Sequence, residues 1–255
     1  MKVAGPRGPP IRPSIRRIAA FASLATAIAA SGGPALAQAY QCRAPAGLPA
    51  ARAVTPDGPV RRPATTAYTL ALSWSPEFCR ARARDPAHRL QCSGPRTGGA
   101  GRFGFVVHGL WPEGARQAPQ WCRRVPPPSA SVVRGQLCRT PSVALLSHEW
   151  ARHGSCMARD AAGYFKVGNI LFDAIRFPAM ERLSRDPALT AGALRQALSE
   201  ANPGRPANSF GLLTSRTGWL REMRVCLNRR FRPARCPARQ YGPRDAAVLK
   251  IWRGL

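Results

Sequence analysis

Eight cysteines, Cys42, Cys79, Cys92, Cys122, Cys138, Cys156, Cys226 and Cys236, constrain this 255-residue chain more than any other feature. All of them lie behind an N-terminal stretch that is first basic and then apolar. Lys2, Arg7, Arg12, Arg16 and Arg17 precede the apolar run Ile18 to Ala30, and Ala35-Leu36-Ala37 fits the small-residue cleavage rule. The expectation is a signal peptide over residues 1–37, cleaved near Ala37, and a single domain over residues 38–255 in the periplasm or secreted. The apolar run is too short to span a bilayer, so no stable membrane insertion is expected. Arg16-Arg17 is compatible with a twin-arginine route, but such a pair arises by chance in so basic a segment, and general secretion is the simpler reading. An even cysteine count behind such a segment implies an oxidised, disulfide-stabilised framework. Eight cysteines allow about a hundred pairings, and spacing alone does not choose among them.

The remaining chain has the length of one domain with a sizeable core. Tyr68 to Trp74 alternates apolar and polar residues and reads as a strand that Ser75-Pro76 ends. Gly104 to Val107 reads as a buried strand running into His108-Gly109-Leu110-Trp111-Pro112, which places an imidazole at the rim of a sheet beside a large flat ring. Tyr164, Val167, Leu171 and Ala174 recur at helical spacing as a core helix. Thr190 to Ala201 reads as another helix, N-capped by Thr190 and stopped by Asn202-Pro203-Gly204. Trp219 to Leu227 alternates again, with Met223, Val225 and Leu227 on one side and Glu222 and Arg224 on the other, and a hairpin closed by Cys226 and Cys236 follows it. Between these elements lie an irregular arm over 43–67, a basic loop over 80–103 carrying His88 as an exposed bystander, and an irregular connection from Arg123 to Gly135. Strands mixed with helices, without βαβ repeats, indicate an α+β fold with a central antiparallel sheet and packed helices. The formal charge of +27 falls to +22 once the five basic residues of the leader are removed. Such a surface attracts polyanions, among them nucleic acid, anionic lipid and cell-wall polymer, although arginine richness equally reflects codon composition.

His148-Glu149-Trp150-Ala151-Arg152-His153-Gly154-Ser155-Cys156 concentrates the chemistry. Two imidazoles, a carboxylate and a guanidinium fall within six positions of one helix, with Glu149, Arg152 and His153 on one face and Gly154 as its stop. A zinc site would separate two histidines by four positions; here they are five apart, about 140° around the helix, with a cation beside them. No metal and no cofactor is expected.

The stretches "FVVHGLWP" and "HEWARHGSC" together resemble the two active-site segments of the ribonuclease T2 family. The resemblance extends to "YTLALSWSPEFC", to Tyr164-Phe165 and to the cysteine-rich end. The family's second segment usually carries Lys and Thr where this chain has Arg152 and Ser155. Ser155 keeps the hydroxyl, whereas Arg152 replaces a compact ammonium by a longer planar fork. The resemblance implies metal-free endonucleolytic cleavage of single-stranded RNA through a 2′,3′-cyclic phosphate to 3′-phosphate ends. It assigns His153 as general base, His108 as general acid, Arg152 and Glu149 as further catalytic groups, His148 to the phosphate and Trp111 to stacking on a base. Which histidine is acid and which is base stays open on the residues alone. The family pattern and local spacing imply the pairs Cys79 with Cys92, Cys122 with Cys156, Cys226 with Cys236 and Cys42 with Cys138. The rival readings are a noncatalytic cationic RNA-binding protein on the same fold, a zinc hydrolase, and an inhibitor or structural disulfide protein. A monomer is the default state.

Overall fold

The alternation from Tyr68 to Trp74 becomes the second of six strands among the described residues: β1 Ala39–Cys42, β2 Ala67–Trp74, β3 Gly101–Phe103, β4 Phe105–Glu113, β5 Phe210–Thr214 and β6 Leu220–Asn228. In the computed structural model, which describes residues 39–254 and, ahead of them, Met1, Lys2, Ala4, Gly5 and Gly8, four strands form one antiparallel sheet in the order β4-β2-β6-β5, and β1 pairs separately with β3. The chain divides into the units Met1–Gly33 and Pro34–Leu255, and all of these strands belong to the second. The apolar run and the cleavage point of the expected signal peptide lie outside the described residues.

The helices are α1 Ser75–Arg80, α2 Arg89–Cys92, α3 Ala130–Gln136, α4 Val143–Arg152, α5 Ala161–Asp173, α6 Met180–Leu183, α7 Ala191–Ala201 and α8 Ala238–Tyr241. Three of the longer ones start on side-chain caps. The Ser142 hydroxyl accepts from the Leu145 amide, Asp160 from Gly163 and Thr190 from Ala193, each satisfying an amide that the first turn leaves unpaired. The core joins Leu70 and Leu72 of β2, Leu110 of β4, Leu212 of β5 and Met223 and Val225 of β6 to Leu146, Trp150, Tyr164, Phe172 and Leu198 from α4, α5 and α7. Burying each such side chain contributes about 1.5–3 kcal/mol. The fold is therefore α+β, with a central antiparallel sheet and helices packed on it.

Four disulfides join Cys42 to Cys138, Cys79 to Cys92, Cys122 to Cys156 and Cys226 to Cys236. Each stabilises by about 2–4 kcal/mol, chiefly by restricting the unfolded chain.

Several connections carry more structure than composition indicates. Residues 80–103 hold α2 and β3, and His88 is half-buried with its ring edge-on to Phe78 at 5.0 Å. The proline-rich connection gives way to α3 at Ala130, where the Ser129 hydroxyl accepts from the Val132 amide. The buried stripe of α5 is Tyr164, Phe165, Gly168 and Phe172 rather than Tyr164, Val167, Leu171 and Ala174, because the sheet lies one residue around the helix from the most apolar arc. After β6 the chain turns back through Phe231 at φ 57° and makes a single bridge, Leu227 to Pro233, instead of a second strand, because Pro233 has no amide to offer the ladder. The hairpin partner of β6 is β5, which precedes it.

Candidate active site

β4 does not stop before His108. It runs on to Glu113, and its pairing with β2 passes from Gly109 opposite Ala71 to Val107 opposite Leu72. His108 is thus the extra residue of a β-bulge, the device by which an edge strand re-aims one side chain. The imidazole meets two carboxylates. Its Nδ1 donates to Glu222 Oε2 at 2.8 Å, and its Nε2 lies 3.6 Å from Glu149 Oε1.

Glu149 projects from α4 and is buried, its Oε2 accepting from Trp111 Nε1 at 2.8 Å. Gly109 makes this approach possible: a Cβ there would lie 1.9 Å from Glu149 Oε2 and 2.7 Å from Trp111 Nε1. Trp111 is half-buried, with its ring centroid 5.2 Å from that of His108 and 5.7 Å from that of His153. The Arg224 guanidinium lies 5.6 Å from the same ring.

His153 is the C-cap of α4, and its amide donates to the Glu149 carbonyl. Its Nδ1 is buried without a hydrogen-bond partner. Gly154 then allows Trp150 and Tyr164 to close on the helix end, where a Cβ would lie 2.4 Å from one ring and 2.8 Å from the other. Tyr164 in turn ties α5 to β4, its hydroxyl donating to the Leu110 carbonyl and accepting from the Leu110 amide, both at 3.1 Å.

Arg152 and His148 gather instead around Trp121. The guanidinium reaches both carboxylate oxygens of Asp57 at 3.3 Å and Gln120 Oε1 at 3.1 Å. His148 is half-buried and meets the Trp121 ring edge-on at 5.4 Å. The 43–67 arm, irregular in sequence, therefore delivers an anion to the cation of the site. The structure brings His108, Trp111, Glu149 and His153 into one constellation and sets His148 and Arg152 on its flank. Glu222, Arg224, Asp57 and Gln120 are the participants that sequence reasoning missed. Only the oppositely charged pair Glu222 and Arg224 on one side of the strand signalled that the second face of β6 has a task.

The electrostatics divide sharply. Burial opposes the charged form of His108, but the hydrogen bond to Glu222 and the charges of Glu149 and Glu222 outweigh it, and its pKa is raised above 6.5. Burial first, and then the charges of Arg152, His148 and His108, push His153 down to about 3. His148 is lowered too, by burial and by Arg152 and His108, against the pull of Asp57. Burial lifts Glu149 to about 7 despite His108, the Trp111 hydrogen bond and Arg152. Glu222, also penalised by burial, is nevertheless lowered by its hydrogen bonds and charge pairing with His108 and Arg224. A separate cleft of about 830 Å³ opens beside Trp74, Arg80, Arg102 and Trp252, and none of the catalytic candidates lines it.

The sequence profile of the Ribonuclease T2 family matches residues 65–186. A protein named ribonuclease from Aeromonas hydrophila is 34% identical over 169 residues, which cover 64% of this chain and 71% of that one. A probable ribonuclease from Haemophilus influenzae is 37% identical over 131 residues, 47% of this chain and 46% of the other, so the match spans about half of that relative. Among solved structures, trichomaglin, described as a novel S-like ribonuclease, superposes with a TM-score of 0.55 at 18% identity, covering 73% of this chain and 98% of its own. RNase NT, solved in complex with 5′-AMP, gives 0.53 at 19% identity over 74% and 98%. This likeness shows a shared fold. The chain belongs to the ribonuclease T2 family.

Proposed function

We propose that this chain is an endoribonuclease that cleaves single-stranded RNA by metal-independent transesterification. The observation that carries the reading is the opposite displacement of two imidazoles on either side of Trp111. His153, pushed down to about 3, is neutral at neutral pH and equipped to accept a proton, while the carboxylates around His108 favour its protonated form. In the first step the 2′-oxygen bonds to phosphorus as His153 takes its proton, the bond from phosphorus to O5′ breaks, and His108 protonates O5′. A 2′,3′-cyclic phosphate results. In the second step the oxygen of a water molecule bonds to phosphorus as His108, now neutral, takes its proton, the bond from phosphorus to the 2′-oxygen breaks, and His153 returns its proton to that oxygen, leaving a 3′-phosphate. Paired acid and base groups of this kind contribute roughly 10²–10⁴-fold in rate.

The remaining groups take supporting parts. Arg152 and His148 face the phosphate charge, and a preorganised donor of this sort is worth about 3–4 kcal/mol. Glu149, close to neutrality, hydrogen-bonds in the transition state beside His108. Trp111 offers a surface for a base, an interaction of about 1–3 kcal/mol that is tolerant of sequence. Stacking and in-line attack need an unpaired strand, so duplex RNA is cut slowly and DNA, lacking the 2′-hydroxyl, is spared. Four disulfides favour an oxidising compartment, which supports action in the periplasm or outside the cell; residues 38–255 are read as a single domain and a monomer.

The test is cleavage of single-stranded RNA by the oxidised chain in excess EDTA, with His153→Ala alongside. Cyclic phosphate ends that disappear in the variant are expected. Loss of cleavage on chelation, or RNA bound but uncut across mildly acid to neutral pH, would overturn the reading.

A further inference from the structure

We propose that Glu222 is a positioning residue for this reaction: its carboxylate holds the Nδ1 proton of His108, fixing the ring's orientation and tautomer and leaving Nε2 as the nitrogen that delivers a proton to the departing oxygen. The inference rests on the ribonuclease reading above. Glu222 lies beyond the 65–186 stretch that matches the family profile, so the match assigns it nothing.

The backbone is built for this contact. Glu222 sits on β6 opposite Ser73, and Arg224 sits opposite Ala71; His108 belongs to β4, on the far side of β2. Two strand spacings, about 9–10 Å, separate those backbones. Two features close the gap. The bulge throws the His108 side chain across β2, and the β2 residues beneath it, Ala71 and Ser73, are small. A leucine at either would stand between imidazole and carboxylate.

Burial then raises the stakes. The Glu222 side chain is 7% exposed, and an ionised carboxylate so far from water is costly unless its oxygens are satisfied. Here both are: Oε2 accepts from His108 Nδ1 and Oε1 from Arg224 Nε, each at 2.8 Å. Arg224 therefore keeps Glu222 anionic and aims it. The second carboxylate plays a different part. Glu149 lies 3.6 Å from Nε2, beyond hydrogen-bond distance, and burial lifts it toward the neutral acid. The charge that orients His108 is consequently that of Glu222, on the nitrogen away from the leaving group. The Nδ1 proton stays in this hydrogen bond through both steps, and no proton passes to Glu222.

The experiment compares the wild-type chain, Glu222→Gln and Glu222→Asp on two substrates sharing one 3′-nucleoside: a dinucleoside phosphate, whose alkoxide needs a proton to leave, and the 3′-(4-nitrophenyl phosphate), whose phenolate does not. Glu222→Gln is expected to lower kcat on the dinucleoside phosphate by about ten- to a hundredfold, a fraction of what a general acid contributes. KM and the rate on the nitrophenyl ester should stay close to wild type. The groups facing His108 are Glu149, His148 and His153 from α4 and its end, and Glu222 and Arg224 from β6. Removing the one anion that hydrogen-bonds it, while Arg224 stays, lowers its pKa. The alkaline limb of the pH profile therefore moves to lower pH in Glu222→Gln, and Glu222→Asp restores part of its position. Equal losses on both substrates with an unmoved limb would make Glu222 a merely structural residue and overturn the proposal. A wild-type chain that cleaves neither substrate would reject the ribonuclease reading instead. The imidazole titration of His108 then decides for Glu222, and a pKa unchanged in Glu222→Gln would reject it.

Discussion

His108 lies between two carboxylates on the sheet side of the site, whereas His153, at the end of a helix, has cations for neighbours and one ring nitrogen with no partner at all. The two residues are chemically identical and both largely shielded from water. Burial alone would drive both toward neutrality. Only the sheet side has anions enough to reverse it. A difference between like groups is therefore written into the strands and helices that surround them, and a pair of titratable groups with environments pulling apart supports the proposed assignment of one as acid and the other as base.

The sheet side is the easier to break. Gly109→Ala places a methyl group inside the Glu149 carboxylate, which must leave both His108 and the Trp111 indole. Activity is expected to fall by roughly 10²-fold or more as the carboxylate and ring lose register. Stability should drop by about 1–3 kcal/mol, as overpacking of a close contact does. Steady-state kinetics and urea denaturation check both. Wild-type activity in this variant would show that Glu149 has no place in the constellation.

The helix side shows itself in acid. His153 has a native pKa of about 3, below its ordinary 6.5. The unfolded chain takes up a proton first, so the stability this group contributes is whole above pH 6.5 and is lost as pH falls toward 3. Glu149 has the opposite sign: its native value of about 7 exceeds the ordinary 4.5, so its contribution is present below 4.5 and disappears as pH rises through 7. His153→Asn should therefore lose less stability than wild type between pH 6.5 and about pH 4, by on the order of 2 kcal/mol. Denaturant midpoints at several pH values measure it. Parallel curves for the two proteins would refute a depressed His153.

The flank of the cationic side gives the smallest effect. Asp57 pairs with Arg152 at 3.3 Å, with side chains 56% and 30% exposed, and a pair so open to solvent is worth at most about 1 kcal/mol. Asp57→Asn should leave folding nearly unchanged, lower KM for RNA by a few-fold by freeing the guanidinium for phosphate, and move His148 further below its ordinary pKa. A raised KM would mean that Asp57 aims Arg152 rather than competing for it.

What was legible in the sequence follows from what periodicity encodes. Tyr68 to Trp74 announces a strand because one face packs on the core, and Thr190 to Ala201 announces a helix because the cap, the period and the terminator agree. Glu222 and Arg224 read only as the polar face of a strand, since alternation tells which residues share a face and not what that face meets. That His108 is a bulge residue depends on registering β4 against β2, a non-local match of two strands more than thirty residues apart. Asp57 sits in an arm with no period, and its encounter with Arg152 comes from the bridge of Arg61 to Gln120 and from the Cys122 to Cys156 disulfide. The buried stripe of α5 was displaced because tertiary packing, and not the apolar maximum, chooses which arc of a helix faces the sheet.

The most direct test of the divided site is an NMR titration of the His108 and His153 imidazoles in the folded, oxidised chain, assigned with His108→Ala and His153→Ala. His108 is expected to titrate above 6.5 and His153 to remain neutral well below it, with Nδ1 of His108 protonated throughout. Two imidazoles titrating together near 6.5, or in the reverse order, would contradict it.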